Sequence, residues 1–390
     1  MAKSKTAEAD VATATTHKFL VSSSALLKAL TPLAGVIVNN PVVPILENFL
    51  LVVEPGLLRL TASDLEVTLQ TTVPVEARAE FAVCLPARIL LDTLKALPDQ
   101  PVTFTVDLDE YTAVLRSVNG TYKIAGERAD DFVKVPDVRG TVLDVPGSVL
   151  KRAITHTVFA ISGDELRPAM TGVLVERSFD FLRFVSTDGH RLLRYTRTDV
   201  GTGERELARS IVPGKAWKTL GRLVASDALV HVAFGQSQAC FTWDSFTLTT
   251  RLIDERYPDY ENVIPISNPN VLLINRREML NSLRRIGLYS NRTTHQVRLK
   301  LSGSELLLSA EGYDTSREAS ETLTCQYDGG NMQIGFSDRF LIELLSNLDT
   351  DEVTLACSTP NRAGLLTPVA GEEHEEVLML VMPVMLNNYV

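Results

Sequence analysis

The sequence predicts an α+β protein built from three repeated domains, each with two helices on antiparallel sheets. Three observations predict it. Elements recur in one order at a spacing near 125 residues. The stretches between predicted helices alternate in hydropathy as antiparallel strands do. A chain of 390 residues with 45% hydrophobic content is also long enough to bury several cores.

The first recurring element is a helix opening: "VSSSALLKALTPLAGVI" (21–37), "VPGSVLKRAITHTVFAI" (145–161) and "INRREMLNSLRRIGLYS" (274–290). Each has a polar start and then apolar residues at helical spacing. Matching Leu27, Leu150 and Leu280 gives steps of 150 − 27 = 123 and 280 − 150 = 130. The second is "CLPARILLDTLKAL" (84–97), "IVPGKAWKTLGRL" (211–223) and "IGFSDRFLIELLSNL" (334–348). Each opens on Pro or Ser and places a cation two residues later: Arg88, Lys215 and Arg339. The third lies between the helices: "LTASDLEVTL", "VSTDGHRLLR" and "LSAEGYDTSR", in which Asp64, Asp188 and Glu311 correspond. Two domain ends match as well, "GERADDFVKVP" (126–136) and "LIDERYPDYENVIP" (252–265).

A period this long makes each repeat a whole domain rather than a solenoid unit. The predicted layout is a disordered tail over 1–16 and domains over 17–140, 141–265 and 266–390. The stretches "FLRFVST", "HVAFGQSQACFTW" and "VRLKLSGSELLLSA" supply the strands. The Ala/Thr-rich start, "MAKSKTAEADVATATTH", lacks the apolar core of a signal peptide. No run of about 18 apolar residues is present, so no membrane partner is expected. Cys84, Cys240, Cys325 and Cys357 are scattered. They make no zinc or redox pair and fit a reduced, cytoplasmic setting.

"FLRFVST-DG-HRLLRYTR" is two strand-like runs joined by Asp188-Gly189, which predicts a hairpin with a type I′ turn. The competing reading makes Asp188 and His190 an active site. It lacks support, because the chain has no G-x-S-x-G, no H-E-x-x-H and no phosphate-cradling Gly loop. "DLDE" (107–110) reads as an exposed turn. No catalytic residue, metal or cofactor is expected. His190 and Arg191 stand just past the turn, where a polar pair can line a groove.

The formal net charge is −10, a poor first sign of nucleic-acid binding unless the cations are gathered in one place. They are. The six predicted helices carry Lys28, Arg88, Lys95, Lys151, Arg152, Lys215, Lys218, Arg222, Arg276, Arg277, Arg284, Arg285 and Arg339 against Asp92, Glu278, Asp338 and Glu343. That is 13 − 4 = +9, leaving −10 − 9 = −19 for the rest. Solvated helix faces are one explanation. A single basic surface against a polyanion is the other.

The triple repeat, "NPVVPILENFLL" (40–51), "STDGHRL" (186–192), "RLIDERYPDYENVIP" (251–265) and "VLMLVMPVML" (377–386) together resemble the bacterial sliding clamp, the beta subunit of DNA polymerase III. The resemblance runs from about Phe19 to Leu386. It implies a DNA-clamp fold and a head-to-tail homodimer ring whose twelve inner helices surround duplex DNA without reading its sequence. It also implies a non-enzymatic processivity role, with the replicative polymerase, clamp loader and repair polymerases docking through short linear peptides.

By the same resemblance the peptides enter a groove between domains two and three. Its residues are Met170, Thr187, Gly189, His190, Arg191, Leu192, Pro258, Val263, Phe340, Leu380, Val381, Met382, Pro383, Val384, Met385 and Leu386. Facing DNA would be Lys28, Arg88, Lys151, Arg152, Arg167, Lys215, Lys218, Arg222, Arg276, Arg277, Arg284 and Arg285. Tyr122 and Ile124 match one side of the dimer interface, Leu288 and Tyr289 the other. Asn40 stands where many members are basic, and Met385 where Arg is common. Asn262 and Thr294 stand where other members carry larger side chains at the pocket's edge, and Asn387–Val390 extend past the usual end. A non-encircling interaction scaffold of the same fold is the alternative.

Overall fold

The computed structural model describes residues 16–135, 137–201, 206–312 and 317–386. The expected tail lies outside these residues except for Thr16, which already belongs to the first strand, Thr16–Ser22. Asn387–Val390 also lie outside them.

Each α-helix among the described residues begins directly after a strand. They are α1 (Ser23–Ala34), α2 (Ala87–Ala96), α3 (Gly147–Thr157), α4 (Gly214–Leu223), α5 (Arg276–Ile286) and α6 (Asp338–Ser346). The last strand residue is the N-cap. Ser22 accepts from the Ala25 amide at 3.3 Å and Asn275 from Glu278 at 3.0 Å. Pro86, Pro146 and Pro213 hold φ at −55°, −57° and −56°. The pyrrolidine ring fixes that angle, so one residue can finish a strand and open a helix.

These caps correct the register of the first repeat. Counting four residues from Ser22 and Pro146 gives Leu26 and Leu150, both fully buried. The same count from Asn275 gives Met279, also fully buried. Leu27 and Leu280 each stand one place too far along. The corrected steps are 146 − 22 = 124 and 275 − 146 = 129.

The described residues form two compact units: residues up to Val138 with Cys240–Thr250, and Arg139–Ala239 with Arg251–Val390. In the first, one sheet runs in the order Glu76–Ala77, Thr16–Ser22, Pro101–Asp107, Thr112–Arg116, Thr121–Ala125. Strands Phe81–Pro86, Asn48–Glu54, Leu57–Ser63 and Val67–Pro74 pair in that order, and residues 247–250 pair with 67–70. α1 packs on α2. Alternation is plain in Val67–Pro74, where every second side chain is buried.

In the second unit, two repeats share one nine-stranded sheet. Its order is Ala208–Pro213, Gly172–Arg177, Leu182–Thr187, Arg191–Arg197, Glu375–Val381, Gly364–Pro368, Glu352–Cys357, Asn270–Asn275, Gln326–Asp328. The junction is the antiparallel pairing of Arg191–Arg197 with Glu375–Val381, from Arg191 opposite Val381 to Arg197 opposite Glu375. A four-stranded sheet, Arg317–Thr324, Glu305–Gly312, Gln296–Ser302, Met332–Ser337, completes the third repeat. α3 packs on α4 and α5 on α6. Trp217 of α4 is fully buried, its ring edge-on to Phe184 at 5.6 Å.

Candidate functional site

The Asp188-Gly189 connection is a turn, but not of type I′. Type I′ needs positive φ at both central residues, and here only Gly189 has it, at 92°. The Asp188 carboxylate takes over, accepting from the His190 amide at 2.9 Å and the Arg191 amide at 3.0 Å. This is an Asx-type turn. Asp64 does the same in the first repeat, accepting from Glu66 and Val67 at 3.0 and 2.7 Å. "DLDE" is likewise a turn, with Asp107 accepting from the Asp109 and Glu110 amides.

Beside this turn lies a cavity of about 540 Å³. Met170, Leu192, Leu380 and Ala363 give it a buried apolar floor. Residues 258–260 and 262–265 form one wall, to which Pro258, Val263 and Ile264 bring apolar surface. Two tyrosines pin that wall. Tyr257 donates to the Val185 carbonyl at 3.3 Å, and Tyr260 to Glu176 at 2.7 Å. Glu176 is buried and also takes Arg209 at 2.8 Å and Arg183 at 3.3 Å. Burial pushes both phenols above their ordinary values, so they stay protonated donors. The opposite wall comes from Asn361–Ala363 and Met382.

Arg191 fixes the turn from behind. Its guanidinium is held by Asp188 at 3.1 Å, by the Phe159 carbonyl at 2.9 Å and by Glu343 of α6. It sits 5.3 Å from the Phe159 ring and 4.9 Å from the Phe340 ring, within reach of cation–π attraction. The His190 ring stacks on Phe340 at 5.9 Å, and the His190 carbonyl accepts from the Met382 amide at 2.8 Å. One side of the groove is thereby tied to the segment carrying Met382.

Of the residues expected at the groove, Met170, Thr187, Gly189, His190, Arg191, Leu192, Pro258, Val263, Leu380 and Met382 line it together. Phe340 stands behind His190 instead. Val381 is fully buried on the other face of its strand, as period-two alternation requires. Pro383, Val384, Met385 and Leu386 are not part of the lining. The chain turns away there, and the Val384 amide donates to the Gly335 carbonyl at 2.8 Å. Asp259, Tyr260, Ile264, Pro265, Asn361, Arg362 and Ala363 also line the cavity and are not among the groove residues that the resemblance implies. Four of them could have been found from their place inside "RYPDYENVIP". Asn262 lines the groove, whereas Thr294 lines a separate hollow with Asn291 and Arg298.

The basic residues divide. Arg152 is engaged by Asp349 at 2.7 Å, Glu372 at 3.2 Å and Glu375 at 2.6 Å. Its carboxylate partner Asp349 is held below the usual range. Arg276 donates to the Thr350 and Leu345 carbonyls, Arg285 to Glu321 and Arg167 to Asp164. These four guanidinium groups are engaged by partners within the fold. Lys151 and Lys215 are half-buried. Lys28, Arg88, Lys218, Arg222 and Arg277 are exposed, and Arg284 is exposed with a contact to Ser346.

Among the interface residues, Ile124 is only 5% exposed and belongs to its own core. Tyr122 lies on Thr121–Ala125, an edge strand, and is partly exposed. Leu288 and Tyr289, just past α5, are exposed at 75% and 41%.

No metal-holding group of His, Cys, Asp and Glu is present among the described residues. No described helix is long and apolar enough to cross a membrane. The four cysteines are unpaired, and burial pushes the Cys84 and Cys357 thiols up to about 12.

The family described as DNA polymerase III beta subunit matches with its N-terminal domain over 17–136, its central domain over 144–259 and its C-terminal domain over 261–383. The beta sliding clamp of Pseudomonas putida strain KT2440 is 32% identical over 364 residues, 93% of this chain and 98% of that protein. That of Synechocystis is 29% identical over 95% of this chain and all of that one. The DNA polymerase III beta subunit from Pseudomonas aeruginosa superposes with a TM-score of 0.89 at 31% identity, covering 95% of this chain and all of that one. The Bartonella birtlesii sliding clamp bound to griselimycin gives 0.88 at 28% identity with the same coverage. With matches over nearly its whole length, the chain belongs to the bacterial sliding clamp family, the beta subunits of DNA polymerase III.

Proposed function

We propose that two copies of this chain close head to tail into a ring around duplex DNA, conferring processivity on the replicative polymerase in the cytoplasm. Three clamp domains over 17–140, 141–265 and 266–390 would each contribute one helix pair to the hole. Partner proteins would dock short peptides in the groove at Leu192 and Met382. The protein would carry no catalytic site of its own.

The observation that carries the reading is where unpaired positive charge sits. Each helix pair has at least two exposed cations with no carboxylate partner among the described residues: Lys28 and Arg88 on α1 and α2, Lys218 and Arg222 on α4, Arg277, Arg284 and Arg339 on α5 and α6. The helical acids are largely spent. Asp92 meets Lys95, Glu343 meets Arg191, and Asp338 is buried. Exposed, mobile cations attract phosphate without fixing register, and topological closure supplies the retention. The interface would join the edge strand carrying Tyr122 to a surface containing Leu288 and Tyr289.

Retention on DNA tests this. After loading by a clamp loader, the protein should stay on circular duplex and leave linear duplex through its ends. Lys218→Glu with Arg222→Glu should shorten retention and lower the salt slope by roughly 0.9 for each phosphate no longer neutralised. Equal retention on circular and linear DNA rejects the ring.

A further inference from the structure

We infer that Arg362 is a specificity-determining residue of the groove and makes it select peptides with a carboxylate beside their apolar anchors. The inference rests on the peptide-groove reading and deepens it.

Among the described residues lining the groove, two carry guanidinium groups, Arg191 and Arg362. Arg191 is spent: Asp188, Glu343 and the Phe159 carbonyl occupy its donors. Arg362 is exposed, and its guanidinium has no hydrogen bond, ion pair or ring partner among the described residues. A guanidinium offers five donors in a planar fork matched to a carboxylate. The opposite wall carries Asp259, which the Asn262 amide engages at 2.7 Å. The groove therefore has an unpaired cation on one rim and an acid on the other.

The backbone beneath Arg362 is held firmly while its side chain is not. Asn268 donates to the Ala356 and Ala363 carbonyls at 2.9 and 3.1 Å, and Asn270 to the Ser358 carbonyl at 3.0 Å. The Arg362 amide donates to the Thr359 carbonyl at 3.1 Å. Ala363 packs in the cluster that contains Leu192, Tyr260 and Leu380. The next residue is thus part of the groove floor, which places Arg362 at its mouth. A peptide whose apolar side chains reach that floor passes Arg362, and an ion pair formed there is partly shielded from water.

The test uses synthetic peptides with fixed Leu and Phe anchors, in which one Glu or Gln is moved along the flanking positions. Affinity is read by fluorescence anisotropy at low and high salt. In the native chain at least one Glu position should bind about fivefold tighter than its Gln twin at low salt, with the gap closing at high salt. Arg362→Gln should erase the gap. Arg362→Glu should reverse it, favouring Lys at that position. A Glu preference that survives both substitutions, or no preference at any position, overturns the inference while the groove stands. If no peptide binds, or if Met382→Ala leaves all affinities untouched, the groove reading fails and this inference fails with it.

Discussion

Arg191→Ala is the sharpest test of how the groove is held. The side chain is 8% exposed, and its removal strands three partners unequally. Asp188 is 18% exposed, so its missing charge-assisted bond costs roughly 1.5–3 kcal/mol. The Phe159 carbonyl is deprived of a donor in a part-buried place, about 1 kcal/mol. Glu343 is 48% exposed, and solvent reduces its share to about 0.5 kcal/mol. The total is about 2–4 kcal/mol after partial re-solvation of Asp188. In thermal unfolding this lowers the transition of the second unit by roughly 2–4 °C per kcal/mol. Peptide affinity should fall too, because Arg191 and His190 together orient the turn against Phe340. Arg191→Lys keeps the charge but not the fork that serves three acceptors, so it should recover less than half of the deficit. A melting point unchanged in the alanine variant, or full rescue by lysine, would refute the claim that this fork holds the turn.

Other perturbations separate the remaining parts. Met382→Ala should weaken a polymerase-derived peptide by about 1–3 kcal/mol in calorimetry, since Met382 flanks the apolar floor; full affinity removes it from the site. Leu288→Glu should shift the protein toward monomer in sedimentation while the single chain stays folded by circular dichroism, because the side chain is exposed in that chain. An unchanged dimer takes Leu288 out of the interface. His156 is buried against Tyr195, and desolvation holds it below 6.5, with Glu375 and Asp349 opposing that shift and Arg152 adding to it. Between its folded value and about 6.5 the unfolded chain binds the extra proton, so this group makes stability fall as pH falls. His156→Gln should flatten the acid side of a melting-point profile, and an identical profile in both proteins would show that His156 does not contribute.

What the sequence reveals and what it hides divide along physical lines. A strand ending in Pro, Ser or Asn and followed by a helical stripe is a local signal, and it repeats six times, so the α+β repeats are legible. The slip from Leu26 to Leu27 arises because adjacent leucines both satisfy an apolar stripe; only the cap fixes the count. The turn at Asp188 is read correctly as a turn but with the wrong geometry, because a side-chain carboxylate replaces a backbone acceptor. Period-two alternation in Glu375–Val381 already implies that Leu380 and Val381 lie on opposite faces, although "LVMPVML" looks like one continuous apolar surface. Arg152 has no such local signal. Its partner Glu375 lies 223 residues away, and nothing local marks the pair. The groove has the same origin. Its floor exists because Arg191–Arg197 pairs with Glu375–Val381, bringing Leu192 opposite Leu380. Both strands carry ordinary apolar patterns, and each would fit many partners. The site is a property of that pairing, so motifs can mark its separate pieces while only the sheet decides which of them face one another.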